Sequence, residues 1–264
     1  MTSIPPEPGQ SYSRQIPGRQ HRFLAARDEH ALEEMDKPDC DPGALTRTYA
    51  QFPLINSVVS RWHGVYKQHI RALLSPWHPT TLLDIGCGGG DIAGALVRWA
   101  ARDGLQLHIT AIDPDARAID FARANVANQP ADTEPVGNQS VSFRRVHSSE
   151  LVADGAVFDF VISNHMIHHL TRAELQGLLT DSAVLARQAV IHSDIVRSPL
   201  AYAAFSLATL PFFPGSFIRR DGLTSIRRSY TGSEMRAVLP PGWRVKTAFP
   251  YRILMLYSPV AAHV

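Results

Sequence analysis

The chain has 264 residues, of which 45% are hydrophobic and 19% are charged, so one globular domain with a sizeable core is expected. The formal net charge of +2 is too small to indicate a nucleic-acid partner, and the two cysteines, Cys40 and Cys87, are too few for a disulfide framework. We therefore expect a cytoplasmic protein.

The N-terminal region is predicted to contain a tail and then helices. Residues 1–20 begin MTSIPPEPGQ, lack the basic start and apolar run of a secretory signal, and are expected to be flexible. Apolar residues at three- and four-residue spacing predict helices over 30–35 and 45–74. Such an extension can cover the sheet edge at which ligands bind, so residues 21–78 are a candidate helical lid, with plain core packing as the alternative.

A glycine-rich turn follows the first predicted strand. Residues 82–91 read LLDIGCGGGD, with Asp84 in the strand and glycines at Gly86, Gly88 and Gly90. The missing side chains allow a ligand to lie against the backbone and the N-terminus of the next helix. This arrangement predicts a nucleoside-type cofactor, and a tight turn without a ligand is the alternative.

A second apolar strand, residues 109–113 (ITAID), ends in Asp113 and leaves room for one helix, 92–102, before it. A carboxylate at that position can accept hydrogen bonds from both hydroxyls of a ribose. In the dinucleotide pattern G-x-G-x-x-G counted from Gly86, the third glycine would fall at position 91, which is Asp91. The spacing therefore disfavours an NAD-linked oxidoreductase.

Strands and helices continue to alternate towards the C-terminus. Alternation of this kind predicts a parallel sheet with helices on both faces. Thr231-x-x-Glu234 is a capping box that predicts the start of a late helix, and residues 128–139 are a polar loop. The predicted elements are helices over 116–127 and 172–185, and strands over 141–146, 158–163, 189–193, 243–247 and 252–257.

Residues 199–218 carry no charge. Pro211 and Pro214 interrupt them, and a membrane span there would split the sheet, so no span is predicted. Two alternatives remain: a buried helix pair, or an apolar wall over the substrate with shallow contact with a bilayer surface. The side chains that suit an aromatic or lipid-like acceptor are Tyr202, Phe205, Phe212, Phe213 and Phe217.

Histidines lie at the ends of two predicted strands: His165, His168 and His169 follow the fourth, and His192 ends the fifth. A histidine at the carboxyl edge of the sheet can act as a base on a hydroxyl group. Side chains of adjacent residues diverge, so at most one of His168 and His169 is expected to face an acceptor. The alternatives are packing without proton transfer and a metal site that includes Asp194; because no zinc-type ligand spacing appears, no metal is predicted.

The pattern Asp84-x-Gly86-x-Gly88-x-Gly90, with Asp113 closing the next strand, resembles motif I and its acidic partner in the class I S-adenosylmethionine-dependent methyltransferases. Residues 158–170, FDFVISNHMIHHL, are similar to the fourth-strand motif of the small-molecule branch of that family. The resemblance implies an α/β fold, a doubly wound Rossmann-like seven-stranded sheet with an antiparallel C-terminal strand. It also implies a methyltransferase domain over 79–264, with an apolar insertion at 199–218 after the fifth strand.

The resemblance further implies S-adenosylmethionine as cofactor. Many relatives place an Asp after the third strand to bind adenine, whereas this chain has His147 and Ser148 there, so one of these or the backbone is expected to serve. The cofactor residues that the resemblance implies are Asp84, Gly86, Gly88, Gly90, Asp113, Pro114, His147, Ser148 and Asn164.

The expected activity is transfer of a methyl group to a small or lipid-like hydroxylated aromatic acceptor, by O-methylation of a phenol. His168, His169 and His192 are the candidate bases, and a helix or turn cap is the alternative role for Asp194. Residues expected near the acceptor are His165, Asp194, Tyr202, Phe205 and Phe213.

The apolar insertion and the segment 221–228 resemble bacterial methyltransferases of secondary metabolism, some of which act on phenolic lipids. Three other functions remain open. They are C-methylation of a quinone or phenol ring, a non-catalytic cofactor-binding regulator, and an RNA methyltransferase that uses the arginine pairs 144–145, 219–220 and 227–228.

Overall fold

A seven-stranded mixed sheet organises the computed structural model, which describes residues 24–127, 140–210 and 213–259. The predicted tail at 1–20, the predicted loop at 128–139 and Phe212 lie outside the described residues. The strands are β1 Thr80–Ile85, β2 Leu107–Ile112, β3 Ser140–Arg144, β4 Phe158–Asn164, β5 Ala186–Ile195, β6 Arg244–Ala248 and β7 Arg252–Tyr257.

The strands lie in the order β3-β2-β1-β4-β5-β7-β6. Strands β1 to β5 pair in parallel, while β7 runs antiparallel to both β5 and β6. The chain order reverses between β2 and β4, on either side of β1, so a crevice forms at the carboxyl ends of these strands. The predicted doubly wound sheet with an antiparallel C-terminal strand is confirmed.

Helices cover both faces of the sheet. Because successive strand residues point to opposite faces, Leu82 belongs to the core on one face and Leu83 to the core on the other. The helices are α1 Pro42–Val59, α2 Trp62–Val65, α3 Asp91–Arg102, α4 Ala116–Ala127, α5 Ser148–Ala153, α6 Arg172–Leu185, α7 Pro199–Ala208, α8 Ile218–Arg228 and α9 Gly232–Val238, with a π-helix at Tyr66–Ile70 and 3-10 turns at Arg71–Leu73 and Ile167–His169.

The N-terminal region differs from the prediction. Residues 30–35 are not helical, because their backbone is held by α8: the Asp221 carboxylate accepts from Glu34 N at 2.8 Å and from Met35 N at 3.0 Å. The predicted helix over 45–74 is interrupted at Arg61, whose φ is +47°. The break ends α1 and lets α2 and the π-helix pack separately.

The described residues of the apolar insertion, 199–210 and 213–218, form α7, turns at 209–210 and 214–215, and the start of α8. Ser198 begins α7 because its side chain accepts from Ala201 N, and Pro199 occupies the first turn. Within the described residues, no helix combines the length and the hydropathy that crossing a membrane requires.

Candidate active site

A cavity of about 890 Å³ opens at the crevice beside β1 and β4. Its size lies within the roughly 300–1,000 Å³ typical of small-molecule sites. One wall is the glycine turn after β1, a second is the N-terminal region with α1, and the third is formed by α7 and α8. The cavity therefore combines the predicted cofactor turn with the predicted apolar insertion.

Three of the four glycines of the turn, Gly86, Gly88 and Gly90, have left-handed backbones but different surroundings. All have positive φ, +70° at Gly86, +52° at Gly88 and +76° at Gly90, a conformation that favours glycine. A Cβ on Gly90 would lie 2.6 Å from the Phe143 ring, so Gly90 packs inside the protein and does not line the cavity, contrary to its predicted cofactor contact. A Cβ on Gly88 would meet no atom within 4 Å, and Gly88 lines the cavity. Gly88 is thus the position at which a ligand can approach the backbone.

Asp113 is held by the turn that it faces. Its Oδ2 accepts from Gly88 N at 3.0 Å and its Oδ1 from Asp115 N at 2.9 Å. Burial raises the pKa of Asp113 above its usual value. Each carboxylate oxygen can accept a second hydrogen bond, so the side chain can still bind a diol such as a ribose.

Two buried polar oxygens at this end of the cavity lack partners. Asp84 Oδ2 and Asn164 Oδ1 accept no hydrogen bond, and both residues line the cavity. Burial, together with the charges of Asp91 and Asp113, raises the pKa of Asp84 to about 8. A cationic, hydrogen-bonding ligand would satisfy both oxygens and favour the ionised form of Asp84.

Carboxylic acids dominate the ionisable groups of the cavity wall. Among the described residues, seven carboxylic acids line it, and no lysine or arginine does. Phosphate groups would be repelled here, whereas a sulfonium and an ammonium group would be attracted. The acids are Glu33, Asp36, Asp84, Asp91, Asp113, Asp115 and Asp221.

The residues predicted for adenine do not all reach the cavity. Pro114 lines it, but His147 begins α5, where its backbone N–H donates to Glu150 Oε1 at 2.7 Å. Ser148 donates from Oγ to Asp181 Oδ2 at 2.6 Å and so points towards α6. The predicted adenine contacts of His147 and Ser148 are therefore wrong.

His165, His168 and His169 line the cavity, whereas His192 does not. The His192 ring lies between Ser163 Oγ, 2.8 Å from Nδ1, and Ser182 Oγ, 3.1 Å from Nε2. Burial lowers its pKa to about 3. Both ring nitrogens are occupied inside the core, so the structure contradicts the prediction that His192 faces the acceptor.

His168 is the centre of a buried ion-pair network. Its Nδ1 lies 2.8 Å from Asp194 Oδ1, and its Nε2 lies 3.3 Å from Glu33 Oε1. Burial alone would lower the pKa of His168, but the charges of Asp194 and Glu33 raise it to about 10. Asp194 stands behind His168 and does not line the cavity, so its predicted contact with the acceptor is wrong.

The neighbouring His169 is bound in the same manner. Its Nδ1 lies 2.9 Å from Asp36 Oδ2, and its Nε2 lies 3.7 Å from Glu33 Oε2. Burial would raise the pKa of Glu33. The neighbouring His169 and His168, and then a hydrogen bond from Ser225, outweigh burial and lower this pKa to about 2. Glu33, His168 and His169, which we call the Glu–His cluster, thus form one polar patch on the cavity wall.

His165 differs from the cluster. Its φ is +52°, and its buried Nε2 has no hydrogen-bond partner. Burial lowers its pKa to about 4, so the ring is neutral at physiological pH. A neutral imidazole in the cavity wall can donate to or accept from a ligand.

The apolar wall contains two of the three aromatic residues predicted for the acceptor. Phe205 and Phe213 line the cavity, and the Phe205 ring packs directly on Gly222 of α8. Tyr202 packs against Ile195 and Ile226 but does not itself line the cavity, so the structure places it outside the predicted acceptor wall.

Residues 82–189 match the family model of the methyltransferase domain. Over these residues the chain has a methyltransferase domain, and its sheet has the Rossmann-like fold of the class I S-adenosylmethionine-dependent methyltransferases. Its cofactor is S-adenosylmethionine, which the unpaired oxygens, the open Gly88 and the acidic wall described above can accommodate.

Curated relatives match this methyltransferase over part of its chain. The ubiquinone biosynthesis O-methyltransferase of Caulobacter vibrioides is 33% identical over 100 residues, 38% of this chain and 34% of the relative. The mitochondrial enzyme of that name from Arabidopsis thaliana is 26% identical over 129 residues, 49% of this chain and 36% of the relative. The match thus spans about a third of the length of these curated relatives.

Solved structures agree with the fold. An O-methyltransferase family protein from Burkholderia thailandensis has a TM-score of 0.51 at 14% identity, covering 80% of this chain and 57% of its own. The plantazolicin methyltransferase BpumL has a TM-score of 0.50 at 13% identity, covering 81% and 96%. At this identity the likeness concerns the fold alone.

Sequence reasoning missed the part of the methyltransferase site that the N-terminal region supplies. Glu33 and Asp36 approach the histidines, and Asn56 of α1 donates to Asp91 Oδ2 at 2.9 Å beside the glycine turn. Tyr49 and Phe52 add aromatic surface to the wall. The one available signal is the acidic run Glu33-Glu34-Met35-Asp36, whose first three residues fall in the helix predicted over 30–35.

Proposed function

We propose that this methyltransferase transfers the methyl group of S-adenosylmethionine to a hydroxyl of a small or lipid-like aromatic acceptor. The observation that carries this proposal is one continuous cavity. It joins the acidic cofactor turn to an apolar chamber in which the Glu–His cluster is the polar patch. A phenol fits such a chamber because its ring needs apolar walls and its hydroxyl needs a polar partner.

At the glycine turn, the task of the protein is to bind and orient S-adenosylmethionine. S-adenosylmethionine supplies a methyl group already activated on a sulfonium, so correct positioning of the acceptor provides most of the remaining catalysis. Asp113 would accept from the ribose hydroxyls, and Gly88 offers its bare backbone. Asp84 and Asn164 direct unpaired oxygens towards the cationic methionine end.

The Glu–His cluster is the proposed site of hydroxyl activation. A phenol with a pKa near about 10 is largely protonated at neutral pH, so transfer to oxygen is faster when the protein helps to remove that proton. His168 and His169 line the chamber and are each oriented by a carboxylate on Nδ1. Because its pKa is raised to about 10, His168 is protonated at neutral pH and can only donate to the acceptor oxygen. We therefore retain His169 as the candidate base, with His165 close to the acceptor.

Exposed apolar side chains around the cavity mouth support a lipid-like acceptor. Leu54 and Val58 of α1 line the cavity yet are 63% and 64% exposed, and Tyr251 lines it from the turn before β7. On α7, Leu200 and Leu207 are exposed on the outer side. We include shallow contact of this face with a bilayer surface in the proposal, because such residues favour the membrane interface.

The relatives favour oxygen as the methylated atom, since they are named O-methyltransferases of ubiquinone biosynthesis. C-methylation of a ring would use the same chamber. The RNA hypothesis has less support, because Arg228 is buried against the carbonyl oxygens of His168 and His169, and Arg220 pairs with Glu34 at 2.8 Å.

A donor labelled in its methyl group, incubated with phenols of increasing alkyl-chain length, tests the proposal. We expect one label per product, on oxygen, with longer chains giving lower KM values. The Asp113→Asn variant should lose donor binding, and the exposed Asp120→Asn on α4 is its matched control. Label on carbon would show ring methylation. Retained binding of S-adenosylhomocysteine without transfer to any phenol would support the regulator instead.

A further inference from the structure

Three potential metal ligands meet in the Glu–His cluster. One ligand atom from each of Glu33, His168 and His169 lies within 4.8 Å of the other two. Nε2 of His168 is completely buried, lies 3.3 Å from Glu33 Oε1, and makes no hydrogen bond. A buried ring nitrogen that faces a carboxylate without a hydrogen bond between them is the arrangement expected of two ligands of one cation.

The groups behind these ligands are those that metal sites use. Asp194 holds Nδ1 of His168 at 2.8 Å, and Asp36 holds Nδ1 of His169 at 2.9 Å. Metal-ligating histidines almost always donate their second N–H to a carboxylate, carbonyl or water, which leaves the other nitrogen free to coordinate. Ser225 Oγ donates to Glu33 Oε1 at 2.7 Å and so orients the third ligand.

We propose that Glu33, His168 and His169 bind a divalent transition-metal cation such as Zn²⁺ or Fe²⁺. Two imidazoles and one carboxylate form a mixed nitrogen and oxygen set that suits these ions and leaves coordination positions open. Metal–ligand bonds of about 2.0–2.2 Å place neighbouring tetrahedral ligands roughly 3.4 Å apart. The separations across the cluster, 3.3 Å from Glu33 Oε1 to His168 Nε2 and 3.7 Å from Glu33 Oε2 to His169 Nε2, lie close to that value.

The local charge also suits a cation. Glu33, Asp36 and Asp194 place three carboxylates around the two imidazoles, and a divalent ion bound there would displace the proton that His168 otherwise carries. Arg27 and Arg228 donate to the carbonyl oxygen of His168, at 2.9 Å and 3.1 Å. These guanidinium groups fix the backbone that carries the histidine ligands.

The role of the metal rests on the proposed function. Because the three residues line the chamber, the open coordination positions would face the acceptor, where the cation can take the hydroxyl oxygen and lower its pKa. The hydroxyl proton would leave to water, and the oxygen would form its bond to the methyl carbon as the carbon–sulfur bond breaks and S-adenosylhomocysteine is formed. The metal would thus perform the activation that a phenol requires.

Metal binding can be measured without any methyl transfer. Chelator-treated protein is titrated with Zn²⁺ by calorimetry and with Co²⁺ by visible absorption, which reports nitrogen and oxygen coordination. We expect one ion per chain, with Glu33→Gln and His169→Gln abolishing the signal and Asp36→Asn weakening it about 10- to 100-fold. His78→Gln, at an exposed loop position, is the matched control and should bind as the wild type does.

Asp36 and His169 are partly exposed, so these two variants should fold even if changes at the buried His168 do not. No saturable binding by the wild type, or equal binding by all variants, would overturn the metal site. The same samples are then titrated with S-adenosylhomocysteine. Cofactor binding without metal binding refutes the metal site alone. Metal binding without methyl transfer to any phenol refutes the proposed function and retains the site.

Discussion

Replacement of Gly88 by alanine separates the ligand contact of the glycine turn from its backbone conformation. Gly88 has φ +52° and open space where a Cβ would lie, and Gly104 and Gly155 have φ +70° and +68° with equally open surroundings. An L-residue in this left-handed region costs roughly 1–2 kcal/mol. All three alanine variants should therefore lose a similar free energy of unfolding and melt a few degrees lower.

Of these three glycines, only Gly88 lines the cavity, so only the methyl group added by Gly88→Ala would meet the cofactor. If the added methyl group breaks one hydrogen bond to the cofactor, the binding free energy falls by about 0.5–1.5 kcal/mol, and its steric overlap with the cofactor costs about 1–3 kcal/mol more. Together these costs are roughly 1.5–4.5 kcal/mol. At 1.4 kcal/mol per factor of ten, the affinity for S-adenosylhomocysteine should fall on the order of 10- to 1,000-fold.

The assay is calorimetric titration of the three variants beside thermal denaturation. The Gly104→Ala and Gly155→Ala variants should bind S-adenosylhomocysteine as the wild type does. If Gly88→Ala and Gly104→Ala bind it equally well while melting alike, the assignment of the open side of Gly88 to the cofactor is refuted.

Three further predictions concern the network, the chamber and the mouth. In the folded protein the pKa of His168 rises from 6.5 to about 10, and that of Asp194 falls below 3.8. Their pairing should therefore stabilise the fold fully between about pH 3.8 and 6.5. The stabilisation should be lost as the pH rises through 10 or falls through the lowered pKa of Asp194. Urea unfolding across pH should show Asp194→Asn costing about 3–5 kcal/mol near pH 6 and less above pH 10; a constant difference would contradict this pairing. Phe205→Ala should raise the acceptor KM and leave S-adenosylhomocysteine affinity unchanged in steady-state and binding assays, and an unchanged KM would remove Phe205 from the acceptor wall. Leu207→Glu should reduce co-sedimentation with phospholipid vesicles, whereas Val184→Glu, at a 55% exposed position on α6, should not; equal effects would exclude α7 from the membrane contact.

Local sequence signals predicted the sheet and its covering helices well. The strand over 252–257, the helix over 172–185 and the capping box from Thr231 to Glu234 depend on apolar periodicity and neighbouring hydrogen bonds, and all three are observed. The segment 30–35 could not be predicted in this way. Its conformation depends on Asp221, 187 positions from Glu34 along the chain.

The candidate site likewise contains residues whose positions follow from local sequence and residues whose positions depend on distant parts of the chain. Asp113 belongs to a short motif whose geometry is local, so its place beside the glycine turn could be predicted. The directions of His192 and Ser148 depend on Ser182 and Asp181, which the chain brings from α6. The approach of Glu33 to His168 joins residues that are far apart along the chain, and no periodic pattern encodes it.

Equilibrium binding of the cofactor tests the central claim most directly. Calorimetry of the purified protein with S-adenosylmethionine, S-adenosylhomocysteine and NAD compares a sulfonium, its neutral product and a diphosphate in one acidic cavity. We predict saturable one-to-one binding of the first two and none of NAD. Absence of binding by both adenosyl compounds, or binding of NAD with equal affinity, would contradict the account.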